Sequence, residues 1–281
     1  MTIKTSQKYR DDIKAIGEKI TVNYNTYCRT IPLLEGAGVV IPSYSNSLAE
    51  AIQQGINAYV RGVCKQVSNA FQGETTRIFT MADLRFTGGE LPRLFSPYSS
   101  NTSKEHSDEF VLTEILNHFD FDKFVSELTR HASTLETLGK ADIGEYLCAA
   151  FSLRADYRDD IIKRTAQHYT FNRNHQAGWR GKYEYAMSEK MLRLVTNVTA
   201  VAKELDAPAL VPSFTMLCEA MSSGNAIVPS GTTFGCKNTV LIKVFKEHIR
   251  FSLTPEMMDV IVTYIRMYAP QIELCELPQA A

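Results

Sequence analysis

The stretch VLIKVFKEHIRFSLTPEMMDVIVTYI, residues 240–265, carries the information from which the fold can be read. Val240, Ile242 and Val244 alternate with Leu241, Lys243 and Phe245. The alternation resumes after Lys246-Glu247 with His248 and Arg250 against Ile249 and Phe251. A period of two belongs to a strand, whose successive side chains stand on opposite faces. Two such runs joined by a short polar break make an antiparallel hairpin. At Thr254-Pro255 the period changes. Threonine is a favoured N-cap, and proline suits the first helical position because its missing N–H is not needed there. Met257, Met258, Ile261, Ile265 and Tyr268 then recur at helical spacing. The expected fold class is therefore α+β, helix-rich with short antiparallel hairpins, including a C-terminal β-hairpin followed by a helix packed on it. IELCEL, residues 272–277, is expected to add a last strand.

Toward the N-terminus, a helix is expected to open at Ser188 with Met191, Leu192, Val195, Val198, Ala202 and Leu205 on its apolar side. A shorter helix is expected over residues 213–222. Residues 167–187 read as two short strands joined by a polar loop. Residues 108–166 read as mostly helical, with breaks near Asp120, Gly139 and Leu153. TRIFTMADLRF, residues 76–86, has the texture of a strand. Helices are expected over residues 46–72, where Leu48, Ile52, Ile56, Tyr59, Val63, Val67 and Phe71 form one stripe, and over residues 7–27. The segment TGGELPRLFSPYSSNTSKEHSD is rich in turn formers. It sets the expected organisation: an N-terminal α/β region over residues 1–95, a loop or linker over 96–107, and a helical region with β-hairpins over 108–281, which could also form one continuous domain.

The chain has 281 residues, enough to bury a substantial core, and its 44% hydrophobic and 22% charged content is that of a globular protein. Its 30 basic residues are balanced by 31 acidic ones. That removes the simplest electrostatic case for a nucleic-acid binder, while leaving room for a local basic face. Cys28, Cys64, Cys148, Cys218, Cys236 and Cys275 lie far apart with no Cys-x-x-Cys pair, as expected of reduced, mostly buried thiols in a cytoplasm. The first residues are too polar for a signal peptide, and no apolar run approaches membrane-spanning length.

No phosphate-binding G-x-x-x-x-G-K-[ST] loop or G-x-S-x-G nucleophile elbow occurs, and Gly36-Ala37-Gly38 lacks the third glycine of a dinucleotide fingerprint. No Glu is followed two residues later by Lys, and Cys and His spacing does not suit zinc. Catalytic residues, metal ligands and cofactors are accordingly expected to be none. Three constellations are left. His118, Asp120 and Asp122 could ligate a divalent ion if they lined one pocket, or simply form a helix end. Asp156, Asp159 and Asp160, with Arg154, Arg158, Lys163 and Arg164, read as ion pairs on a solvent-facing helix. The loop of residues 171–183 concentrates Arg173, His175, Trp179, Arg180, Lys182 and Tyr183. Trp, Tyr and Arg dominate binding hot spots, and bases between aromatics suit phosphates and stacked nucleobases. The same loop also reads as a hairpin whose Trp anchors the core. These six residues are the candidate partner-binding set.

Val244-Phe245-Lys246-Glu247-His248-Ile249-Arg250-Phe251 resembles the C-terminal hairpin of an uncharacterised family carried by phages, plasmids and genomic islands, which reads F-K-N-G-N-x-H-hydrophobic-x-F before a short helix. The chain keeps the Phe-Lys, the His, the hydrophobic residue and the closing Phe, and lacks the Asn-Gly-Asn turn. The resemblance implies a phage or mobile-element accessory protein of the host-cell cytoplasm. Such a protein acts by stoichiometric binding to a host protein complex, for instance an anti-phage defence nuclease such as the Gabija complex, as a homo-oligomer and with no membrane partner. The alternatives are a nucleic-acid-binding accessory protein and a metal-dependent enzyme.

Overall fold

The computed structural model describes residues 2–36, 48–84, 108–155, 162–174, 184–185, 189–222 and 228–279. Its contacts form two compact units: residues 1–73 with 77–136, and residues 74–76 with 137–281. The expected linker, residues 96–107, lies outside the described residues. The chain is α+β, with helices in both units and, among the described residues, antiparallel strands in the second unit only.

The first unit contains α1 (Ser6–Gly36), α2 (Leu48–Phe71), a 3-10 turn (Met81–Asp83), α3 (Asp108–His118) and the first half of α4 (Phe121–Ala150). The expected stripe of α2 is the core: Leu48, Ile52, Ile56, Val63 and Val67 are buried, with Tyr59 and Phe71 packed at its margin. Tyr9 and Phe119 meet the Phe124 ring edge-on at 5.2 and 5.5 Å. Gly55 permits α1 and α2 to approach closely, since a Cβ there would stand 2.3 Å from Ile20 Cδ1. α1 runs beyond residue 27 and through Pro32. Proline deletes one i→i−4 bond rather than all of them, and the Thr26 and Thr30 hydroxyls donate to the carbonyls of Val22 and Thr26 at 2.8 Å.

Residues 76–80 do not form the expected strand. Side chains take the amides a ladder would need: Phe79 N–H donates to the buried Ser68 Oγ (3.0 Å), and Thr80 N–H donates to Asp83 Oδ2 (2.7 Å). The Phe79 ring stacks on His131 at 5.0 Å. Nor does α4 break at Gly139, where a Cβ would stand 2.2 Å from Thr75 Oγ1, so a glycine is needed there for packing rather than as a stop. The expected breaks near Asp120 and Leu153 do occur. Ser152 takes a left-handed conformation (φ 55°), and Leu153 N–H donates back to the Cys148 carbonyl (2.9 Å), closing α4.

In the second unit, a five-stranded antiparallel sheet has the order β1 (Ile162–Arg164), β2 (Tyr169–Asn174), β7 (His248–Leu253), β6 (Val240–Val244), β5 (Thr233–Gly235). The hairpin β6–β7 pairs Val244 with Ile249, Ile242 with Phe251 and Val240 with Leu253, and all six residues are fully buried. Phe251 stacks on Phe171 at 5.4 Å and on Phe214 at 5.8 Å. The same core takes residues from the end of α4, α5 (Glu189–Glu204), α6 (Pro212–Ser222) and α7 (Pro255–Tyr268). Thr254 caps α7 as expected, its hydroxyl accepting from Met257 N–H (3.4 Å) ahead of Pro255. At the β5 end, Ser213 Oγ donates to the Val240 carbonyl (2.6 Å). Gly235 (φ 81°) makes room for that bond, because a Cβ would stand 2.3 Å from the same carbonyl oxygen.

Several expectations change here. β1 lies inside the stretch read as helix, so Lys163 is placed on a ladder opposite Thr170 rather than on a helix. β2 and β3 (Glu184–Tyr185) do not pair with each other: β2 joins β1 and β7, while β3 joins β4 (Val228–Pro229) in a separate two-stranded sheet. On α5, Val195, Val198 and Ala202 are buried as expected, but Leu192 is 50% exposed, and Leu194 and Val201 are buried as well. Residues 272–277 form one bridge, Leu274 to Arg154, and no further strand. None of the six cysteines is in a disulfide, but only Cys64 and Cys148 are buried.

Candidate functional site

Alternation in the sheet sends Tyr169, Phe171, Ile249, Phe251, Ile242 and Val244 into the core. It therefore sends Thr170, Asn172, His248, Arg250, Ser252 and Lys243 to the opposite face. Asn172 and Lys243 are exposed, and Thr170, His248, Arg250 and Ser252 half-exposed. Register aligns Asn172, Arg250, Lys243 and Thr233 in one row across β2, β7, β6 and β5. The neighbouring row holds Lys163, Thr170, Ser252 and Leu241. Between β1, β2 and β7 this face forms an open cleft of about 590 Å³, lined by Lys163, Thr170, Asn172, Arg250 and Ser252.

The charge on these strands is of one sign. Lys163, Arg164, Arg173, Lys243 and Arg250 all occur in them, and no Asp or Glu does. Arg250 Nε donates to Asn172 Oδ1 (3.0 Å), a neutral partner that orients the guanidinium without cancelling its charge. At the hairpin turn, the Phe245 ring lies 4.6 Å from the Arg250 guanidinium carbon, 5.3 Å from Lys243 Nζ and 4.7 Å from the His248 ring, which it stacks upon. Burial first, then the charge of Arg250, holds the His248 imidazole below its usual pKa, against a weaker pull from Glu247. His248 Nε2 is shielded from solvent and has no hydrogen-bond partner among the described residues.

Of the residues singled out from the loop, Arg173 takes a place in β2, its backbone opposite Ile249. Its side chain lies outside the described residues, as do His175, Trp179, Arg180, Lys182 and Tyr183. Asn174, the last residue of β2, pairs with His248, so the loop leaves the sheet beside the Phe245 cluster. Sequence reasoning passed over Arg250, Lys243 and Phe245 because it treated the hairpin as architecture. The available signal was the absence of acidic residues from every basic strand.

The segment His118–Asp122 is a helix junction. Asp120 Oδ1 accepts from Lys123 N–H (2.9 Å), capping α4, while Phe119 and Phe121 are buried and meet at 4.7 Å. Among the described residues no group of three or more His, Cys, Asp or Glu side chains is placed to hold a metal ion, and no helix is long and apolar enough to cross a membrane. Asp156, Arg158, Asp159 and Asp160 lie outside the described residues.

Comparison with family models, curated protein sequences and solved structures gives no match.

Proposed function

We propose that this protein is a non-enzymatic nucleic-acid-binding protein whose contact surface is the open face of the five-stranded sheet. One observation carries the reading: a chain of net charge −1 places Lys163, Lys243 and Arg250 on one polar face whose strands contain no carboxylate. A phosphodiester backbone is the polyanion such a face suits. Neutralising its phosphates releases condensed counterions, and Asn172, Thr170 and Ser252 supply uncharged hydrogen-bonding groups beside the cations. The experiment is a salt titration of nucleic-acid affinity by fluorescence anisotropy. The expected result is affinity that falls as salt rises, with a log–log slope shallower by about 0.7 in each of Arg250→Ala and Lys243→Ala. Binding that ignores salt, or slopes unchanged in both variants, rejects the assignment.

A second reading rests on the likeness of residues 244–251, which keep the Phe-Lys, the His, the hydrophobic residue and the closing Phe but not the Asn-Gly-Asn turn, to the hairpin of proteins carried by mobile elements. In it the protein is a cytoplasmic accessory factor that blocks a host defence nuclease by stoichiometric binding. Loss of cutting at an equimolar ratio of this protein to a purified nuclease complex supports that reading, and capture of no host protein complex from plasmid-bearing cells counts against it.

A further inference from the structure

We infer that the Phe245–His248–Arg250 cluster is a base-stacking subsite, so that the nucleic acid this face takes is a single strand. The inference rests on the nucleic-acid reading above and narrows its substrate class.

Three π-bearing groups are brought together at the end of the basic row. Phe245 leaves β6, and its N–H donates to the His248 carbonyl (2.8 Å), closing the turn through Lys246 and Glu247. This puts the ring against the His248 imidazole, with 17° between the planes, and beneath the guanidinium of Arg250. All three side chains are half-exposed. The half-exposed imidazole and guanidinium that the ring holds in place, at the margin of a basic face, are flat groups on which unpaired bases stack. Bases in a duplex already stack on one another and show only their edges in the grooves, so they cannot use this subsite. The guanidinium supplies a second element. Asn172 takes only its Nε–H, and among the described residues no carboxylate meets the remaining N–H groups, which are left for a phosphate or a base edge. The lowered pKa of His248 agrees with a neutral imidazole in the stack.

A cluster serving only to buttress the turn would have the same contacts, so the test separates the two roles. The probes are fluorescein-labelled oligothymidylate and its duplex with oligoadenylate, measured against wild type, Phe245→Leu and Phe245→Trp. Thermal unfolding of each variant checks that the sheet is intact. The expected result is that wild type prefers the single strand, that Phe245→Leu lowers its affinity at least about tenfold at an unchanged salt slope, and that Phe245→Trp retains it. Duplex affinity is the same in all three proteins. Equal wild-type affinity for single strand and duplex overturns the inference, as does wild-type single-strand affinity in a folded Phe245→Leu. If Arg250→Ala and Lys243→Ala weaken binding while Phe245→Leu does not, the basic face binds nucleic acid and the stacking subsite does not exist. Failure of wild type to bind either probe removes both readings together.

Discussion

The helical first unit and the sheet of the second treat charge in opposite ways. On and beside the helices of the first, cations lie next to acids: Lys4, just ahead of α1, and Lys8 reach Asp12 at 2.7 and 3.6 Å, Lys14 reaches Glu18 at 3.9 Å, and Arg130 reaches Glu127 at 2.7 Å. Most of these are three or four residues apart, where one helix face brings them together. In the sheet of the second unit the strands carry cations without acids. A neutral total can thus hide a segregated surface, with the acids of the second unit placed outside the strands of its basic sheet. The comparison also separates stability from binding. Paired surface charges contribute little to either, whereas unpaired, co-facing charges are poised for a partner.

The largest effects are expected in the two cores. Phe251→Ala, in a site of zero exposure ringed by Phe171 and Phe214, should lose about 3–5 kcal/mol in denaturant titration. Phe124→Ala should cost about as much, its ring being equally buried between Tyr9 and Phe119. Hydrogen exchange tells the two apart, with protection lost first in β6–β7 for one and in α1 and α2 for the other. A uniform loss in both would break the description of two separate cores. Ser213→Ala should cost less, about 0.5–1.5 kcal/mol, because the Val240 carbonyl loses its side-chain donor but keeps Cys236 N–H at 3.1 Å.

Acid should also distinguish the units. Hydrogen bonds from Lys4 and then Tyr59 hold the Asp12 carboxyl below the usual carboxylate range. The unfolded chain therefore takes up that proton first, and the stability Asp12 contributes is complete at neutral pH and lost as pH falls below about 4. His248, held below 6.5 chiefly by burial, behaves in the same sense at higher pH. Its contribution is present above pH 6.5 and declines as pH drops through the folded value. Exchange protection in β7 should weaken at a higher pH than protection in α1, and His248→Gln should abolish the earlier step. The smallest effect is expected from Lys14→Ala, about 0.2–0.5 kcal/mol, since its pair with Glu18 is exposed.

The stripe of α2, the β6–β7 hairpin and the Thr254-Pro255 start of α7 could all be read in advance because each is a local code: a period, a cap, a short polar break. β1 could not, since three residues, Ile-Lys-Arg, show no period, and their strand exists only because Tyr169–Phe171 lies beside them. The same applies to residues 76–80, where Ser68 and Asp83 compete for amides that a strand would have used. Of the candidate site, the loop residues named in advance lie beyond what the structure describes, apart from the backbone of Arg173. The acid-free face became visible only once the strand order was known.

Local order in this protein is therefore written along the chain. Helical and strand periods, with capping residues, specify an α+β molecule and its C-terminal hairpin-helix without reference to distant residues. Pairing is not written there. Nothing in residues 169–174 names residues 248–253 as their ladder partner, because a strand's N–H and C=O groups are the same whatever its side chains. The choice between partners came from burial, as Phe171 and Phe251 stack within one core. Since side chains alternate across a strand, that same choice set Asn172 and Arg250 side by side on the other face.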